Sequence, residues 1–219
     1  MSTSTIFEPL RFRNLTVKNR ILRSSIAGRF DNYDGSGTPV RINWDLKFAR
    51  GGVGAIISSN APVHPRGHLV PGYAQIDRDD RIPFWRELIN RVHDHDCKYV
   101  IQIVHGGRER LIGGIEWEKG LSSTDDAEPM NGFQCERLTI EQIHEIVGYF
   151  AAAARRAREA GADGIEVAGA NGMLPTQFLS SAINDRKDEY GGSLENRARF
   201  ALEVVRAIRA EVEIGRAHV

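Results

Sequence analysis

Cysteine is scarce in this chain: Cys97 and Cys135 are the only two among 219 residues. They lie far apart and make no metal-ligand spacing. Neither a disulfide framework nor a cysteine-based metal knuckle is expected, and both thiols fit a reducing compartment. A surplus of charge is missing too. Lysine plus arginine number 29 and aspartate plus glutamate number 29, for a formal net charge of +0. Without a positive excess nothing gathers a phosphate backbone, which argues against nucleic acid as a partner. No apolar run approaches the roughly 18 residues that span a bilayer. The start, MSTSTIFEPLRF, lacks the basic segment and apolar core of an export signal. These absences predict a soluble, cytoplasmic protein with no membrane partner. Hydrophobic residues make up 41% and charged residues 26%, the ordinary balance of a globular chain. The length suits one sizeable domain.

What is present is an alternation of strands and helices. Residues 6–18 (IFEPLRFRNLTVK) predict a lead-in hairpin, and residues 19–26 (NRILRSSI) a first buried strand. The loop AGRFDNYDGSGTP follows, its glycine and aspartate forcing turns. Thr38 and Pro39 read as an N-cap and first helical residue, with Ile42, Leu46 and Ala49 at helical spacing and Gly51-Gly52 as the stop. VGAIISS (53–59) is a second strand. Pro83 opens a helix carrying Trp85, Leu88, Ile89 and Val92 on one face. KYVIQIV (98–104) is a third strand, with Gln102 in the middle of an apolar run. Residues 105–138, with glycine pairs at 106–107 and 113–114, predict a functional lid, a small hairpin or a disordered segment.

Thr139 with Gln142 makes a capping box. Ile140, Ile143, Val147, Phe150, Ala154 and Ala157 then mark an amphipathic helix that Gly161 ends. A fourth strand falls within 163–168. Ser193 caps a last helix whose buried stripe is expected to be Ala198, Ala201, Leu202, Val205, Ile208 and Val212. Strands that read as apolar on both faces, alternating with helices, predict a parallel sheet with right-handed crossovers. Long connections follow the strands and short ones follow the helices, which suits a barrel working at the carboxyl ends of its strands. An open doubly wound sheet usually carries a glycine fingerprint in its first strand–helix turn. SSIAGRFD has none.

The motifs NRI (19–21), ARGGVGAII (49–57), QIVHGGR (102–108), ANG (170–172), QFLS (177–180) and DEYGGSLENRARF (188–200) occur in this order. Together they make the chain similar to the Old Yellow Enzyme family of NADH:flavin oxidoreductases. The resemblance implies an α/β fold, a (β/α)8 TIM barrel truncated here to about the first four βα units. It implies FMN at the carboxyl ends of the strands, with NADH or NADPH as reductant and an activated alkene-like electrophile as substrate. Residues 1–212 are then the N-terminal half of the barrel. Residues 213–219 (EIGRAHV) break the helical stripe and read as a non-native tail resembling a translated sequencing adapter. The natural protein is expected to continue, and a homo-oligomer is open to the full-length protein, whose oligomeric state the sequence does not fix.

Position by position, the resemblance places Ser25, Ile26 and Ala27 along the flavin edge, Asn60 beside its ring, and Gln102 on its pyrimidine. Ser25 stands where the family often has proline, and Ala27 where it often has threonine or cysteine. The family commonly grips a substrate oxygen with histidine and a second histidine or asparagine, and protonates with tyrosine. Here those positions hold Ala168, Asn171 and Met173. Asn171 keeps one donor, while alanine and methionine can give no proton. Acid catalysis is therefore expected to be altered, with His105, Arg29 and Tyr33 as alternative acids. A related reading is a dehydrogenase or dienoyl-CoA reductase-like enzyme whose missing C-terminal part carries a 4Fe-4S cluster and FAD. A third is a half-barrel with no activity of its own, since the family's phosphate-holding strands seven and eight are not in this sequence.

Other clusters read as architecture. His93-Asp94-His95-Asp96-Cys97 looks like a solvated helix end with no metal. His64 to His68 is a loop that could face substrate. Tyr190-Gly191-Gly192-Ser193 looks like a turn and cap. The run from Asp185 to Glu189 reads as a solvated surface, with a salt-bridged loop support as the alternative.

Overall fold

The computed structural model describes residues 5–110 and 117–212. The glycine pair at 113–114 and the tail at 213–219 lie outside the described residues. Strands β1 (Leu10–Arg11) and β2 (Thr16–Val17) form the lead-in antiparallel ribbon, with Leu10 opposite Val17. The main sheet follows as β3 (Leu22–Arg23), β4 (Ala55–Ile57), β6 (Lys98–Val104) and β9 (Gly164–Val167), side by side in that order and all parallel. A short strand, β5 (Ala61–Pro62), pairs with the carboxyl end of β6. Between and after these strands run helices α1 (Pro39–Arg50), α2 (Ile82–His93), α3 (Ile140–Ala160) and α5 (Leu194–Val212). This is the first half of a (β/α)8 barrel. The runs at 19–26 and 53–59 pair over shorter spans than their apolar character suggests, because each strand leaves the ladder to enter its loop.

Local signals explain where the helices begin and end. The Thr38 hydroxyl accepts the Arg41 N–H, with Pro39 in the first turn. At α3 the Thr139 hydroxyl accepts from the Gln142 N–H at 3.2 Å, while the Gln142 side chain accepts from the Thr139 N–H at 2.8 Å. Two orphan donors are thereby satisfied reciprocally. Gly161 ends α3 at φ 92°, a left-handed conformation that glycine adopts without a Cβ penalty. The Ser193 hydroxyl accepts from the Asn196 N–H at the start of α5.

The core lies between the helices and one face of the sheet. Trp85, Leu88, Ile89 and Val92 of α2, Ile143, Phe150, Ala154 and Ala157 of α3, and Tyr99, Ile101 and Ile103 of β6 are all buried in it. The alternate residues of β6, Lys98, Val100 and Gln102, are only half-buried. The expectation that both faces are covered is therefore corrected. Phe12, Leu22, Ile57, Val100 and Val167 line an open apolar groove on the second face, where Leu22 is 42% exposed. An apolar run reports a strand's preference for burial, whereas covering depends on which other elements pack on it.

Three further expectations change. On α5 the buried residues are Phe200, Val204, Ile208 and Val212, and Leu202 is 47% exposed. The helix is rotated so that Phe200 stacks on Phe178, with ring centroids 4.6 Å apart. Phe178 belongs to a short helix, α4 (Leu174–Leu179), that the strand–helix alternation did not anticipate. The long connection after β6 is a two-stranded sheet of β7 (Gly120–Ser122) and β8 (Cys135–Arg137), with Leu121 opposite Glu136. That pairing is parallel, so it is neither a hairpin nor structureless.

A buried ionic cluster fastens the loop after β3 to this scaffold. The Arg41 guanidinium donates to Asp45 at 2.9 Å and to Ser59, and pairs with Asp31 at 3.5 Å. The Tyr99 hydroxyl donates to Asp45 at 2.6 Å, and Asp31 accepts the backbone N–H of Ala74 at 2.9 Å. Burial works against the Arg41 charge, but the oxygens of Tyr99, Asp45 and Asp31 outweigh it and raise its pKa. Arg41 stays cationic.

Candidate active site

Parallel pairing brings the carboxyl ends of β3, β4, β6 and β9 to one rim. Alternation along β6 turns Gln102 away from the helices, and the register sets it beside Glu166 of β9. The Gln102 carbonyl oxygen accepts from the Ser25 hydroxyl at 2.8 Å, and its amide nitrogen donates to a Glu166 carboxylate oxygen. Its backbone N–H donates to the buried Ser58 hydroxyl at 2.9 Å. Above this chain of hydrogen bonds lies a cavity of about 390 Å3, lined by Ser25, Ala27, Asn60, Gln102, Glu166, Ala168, Asn171 and Met173 among others.

The structure therefore gathers Ser25, Ala27, Asn60, Gln102 and Asn171 from separate strand ends into one place. Ile26 is the exception. Its side chain is 54% exposed and is not part of the cavity wall, although both neighbours are. In an extended segment, consecutive side chains leave on opposite sides.

The Asn171 loop is a tight left-handed turn, with φ of 53° at Asn171 and 77° at Gly172. Asparagine tolerates this region better than most residues, and glycine pays nothing for it. A Cβ at Gly172 would also lie 2.6 Å from a Glu109 carboxylate oxygen. Beneath the loop, Met173 packs with Val104, Ala168 and Leu69 as a small apolar cluster. Ala168 and Met173 both reach the cavity, so one wall of it is hydrocarbon and thioether with no acidic proton.

None of the alternative acids lines this cavity. His105 is fully buried, and its Nδ1 accepts the Gly107 N–H at 3.1 Å. Burial, with the charges of His64 and Arg66 adding to it, pushes its pKa down to about 3. It is neutral at physiological pH, with the proton on Nε2. Arg29 is an exposed residue at φ 53°, and Tyr33 is 48% exposed.

The remaining clusters find structural partners. His93 hydrogen-bonds Asp163 at 2.6 Å, and Asp163 also pairs with Lys98 and accepts the Tyr99 N–H. The run at 93–97 is thus tied across the amino end of the sheet rather than merely solvated. Among the described residues, no group of three His, Cys, Asp or Glu side chains is placed to hold a metal ion. His64 stacks on Tyr149 at 4.6 Å, away from the cavity wall. In the 185–189 run, Arg186 is buried, donating to the Leu138 carbonyl at 2.6 Å and pairing with Asp188. That segment is a salt-bridged loop support.

Glu166 is the site residue that sequence reasoning missed. Its signal was a carboxylate in the apolar run GIEV, on the strand opposite Gln102. Gln177, quoted only as part of QFLS, was overlooked in the same way.

Residues 5–218 match the NADH:flavin oxidoreductase / NADH oxidase family. The chain belongs to that family. It is 36% identical over 216 residues to N,N-dimethylglycine/sarcosine dehydrogenase of Chromohalobacter salexigens, covering 97% of this chain and 31% of that protein. It is 39% identical over 208 residues to NADH oxidase of Thermoanaerobacter brockii, covering 94% of this chain and 32% of that one. Among solved structures, 2-naphthoyl-CoA reductase in complex with 2-naphthoyl-CoA superposes with a TM-score of 0.91 at 28% identity, over 98% of this chain and 34% of that chain. The chain thus spans about a third of the length of each of these proteins.

The donor set fits the ring portion of the flavin that this NADH:flavin oxidoreductase family uses. The pyrimidine edge of a flavin alternates donors and acceptors, and the Gln102 amide retains one N–H and one lone pair beyond those it shares with Glu166 and Ser25.

Proposed function

We propose that this chain forms the flavin-facing half of an FMN-dependent oxidoreductase. The enzyme would pass hydride from NADH or NADPH, through flavin, to an electrophilic activated-alkene substrate, with altered acid catalysis. One observation carries this reading: Ser25, Ala27, Asn60, Gln102 and Asn171 converge on a single cavity at the carboxyl rim of the sheet. Bound there, FMN would supply the hydride chemistry, and the protein would supply position and electrostatics.

The chain's own residues would act as follows. Gln102 would hold the pyrimidine edge, the backbone from Ser25 to Ala27 would run along the ring, and Asn60 would flank it. The Asn171 amide, exposed at the rim, would donate to a substrate oxygen as negative charge develops there. Ala168 and Met173 would pack on the substrate without delivering a proton, so the second hydrogen of the product would come from water at the open rim.

A second reading is favoured by the same two residues. A dehydrogenase that removes hydride from its substrate needs no acid to protonate a product carbon. The relative acting on N,N-dimethylglycine or sarcosine bears a name of this kind.

The deciding experiment is FMN titration of the purified protein, followed by anaerobic reduction with NADH or NADPH and single-turnover oxidation by a simple enone. Uptake of flavin with slow enone reduction, lowered a further ~100-fold in Asn171→Ala, supports the first reading. Flavin reduced by a methylated amine and left oxidised by NAD(P)H supports the second. A chain that takes up no flavin is a half-barrel without activity of its own.

A further inference from the structure

We infer that Glu166 is a positioning residue that dictates which way round the Gln102 amide faces, and so which ring atoms Gln102 can pair with. This rests on the flavin reading above and deepens it. An amide's oxygen and nitrogen occupy nearly the same space, so a glutamine in a cavity can turn over at little cost unless its partners forbid it. Gln102 has two such partners, one at each end. Ser25 cannot choose between the two orientations, since a hydroxyl both donates and accepts. Glu166 can. An ionised carboxylate only accepts, so the amide nitrogen must face it and the carbonyl oxygen must face Ser25.

The geometry supports a rigid arrangement. Gln102 and Glu166 are direct neighbours across the β6–β9 ladder, so their side chains leave the sheet on the same face. The Gln102 backbone is itself held by the buried Ser58 hydroxyl. The Ser25 hydroxyl holds the carbonyl end of the amide at 2.8 Å. In this chain the amide is therefore held at both ends. One N–H and one lone pair remain for the cavity, in an order set by Glu166. Charge-assisted hydrogen bonds of this kind are about twice as strong as neutral ones, which makes the carboxylate the dominant partner.

Glu166→Gln is the discriminating variant. It keeps the size of the side chain and the number of hydrogen bonds but can accept or donate, so the directional preference disappears. In the flavin-free chain, 15N–1H spectra should show one Gln102 side-chain amide proton displaced by the carboxylate. In Glu166→Gln that displacement should vanish while the urea midpoint stays near that of the parent. In the flavin-loaded protein, Glu166→Gln should weaken FMN binding by about tenfold, and Ser25→Ala by less. Unchanged Gln102 resonances in Glu166→Gln would overturn the inference, as would unchanged FMN affinity. Failure of the parent chain to take up FMN would defeat the flavin reading instead, and the spectra would still decide the role of Glu166.

Discussion

Gln177 donates its amide N–H to the carbonyl of Gly172 at 2.7 Å, directly beneath the turn that carries Asn171. The same nitrogen reaches the Gly106 carbonyl at 2.9 Å, and the side-chain oxygen accepts the Arg108 N–H at 3.3 Å. One fully buried side chain thus joins the loop after β9 to the loop after β6. Gln177→Leu keeps the bulk but strands these backbone groups away from water. It should cost about 3 kcal/mol by urea unfolding, and amide exchange at Arg108 should accelerate more than exchange in β6.

Arg41 is held by Asp31, Asp45, Ser59 and Tyr99 in a site closed to solvent. Removing one partner of a buried pair leaves an uncompensated charge, at a cost of about 3–5 kcal/mol. Arg41→Met should therefore destabilise the chain by that amount in a urea titration. Arg41→Met combined with Asp45→Asn should recover part of the loss, because no carboxylate at position 45 is then left unpaired.

Asp163 gives a pH signature. Burial tends to raise its pKa, but the hydrogen bonds from His93 and the Tyr99 N–H, with the charge of Lys98, hold it below the usual carboxylate value. A carboxyl group that binds its proton less readily when folded stabilises the fold above the unfolded pKa of about 4. That contribution fades as pH falls through the lower folded value. The stability difference between the parent and Asp163→Asn should shrink as pH falls below about 4. Urea midpoints on both sides of that pH would measure it; a difference that grows on acidification would contradict this assignment.

Met173 offers a gain-of-function test. It lines the cavity beside Ala168 and is buried against Val104. Met173→Tyr would place a phenol, which can donate a proton, at this wall of the cavity. If product protonation limits turnover, enone reduction should rise by about 100-fold, the lower end of what a positioned acid contributes. The rate of flavin reduction by NAD(P)H, which needs no acid, should stay the same.

Much of this architecture was legible in the chain. Thr38, Pro39, Thr139, Gln142 and Gly161 act on their own neighbours, so the helix boundaries they set could be read locally. The strand at 98–104 was equally plain, because an apolar run of that length bounded by polar residues leaves few alternatives. Longer-range questions were less legible. The stripe of α5 was placed only in part: Ile208 and Val212 are buried as expected, while Phe200 and Val204 take the place of Leu202 and Val205, since the rotation depends on Phe200 meeting Phe178, a residue in a helix that local pattern did not announce. In the Asp185–Glu189 run Asp185, Lys187 and Glu189 are exposed, as charge suggests, while buried Arg186 reaches the Leu138 carbonyl and makes the salt-bridged support that was the alternative reading.

By itself, the sequence determined the family and the alternation of strands and helices. These follow from residue identity and short-range spacing, which need no coordinates. Tertiary structure alone decided which residues meet. It put Ser25, Gln102 and Glu166 in one hydrogen-bonded row, removed the Ile26 side chain from the cavity, and closed His105 into an environment that keeps it neutral. Those outcomes depend on strand register and on burial, which arise only when distant segments pack together.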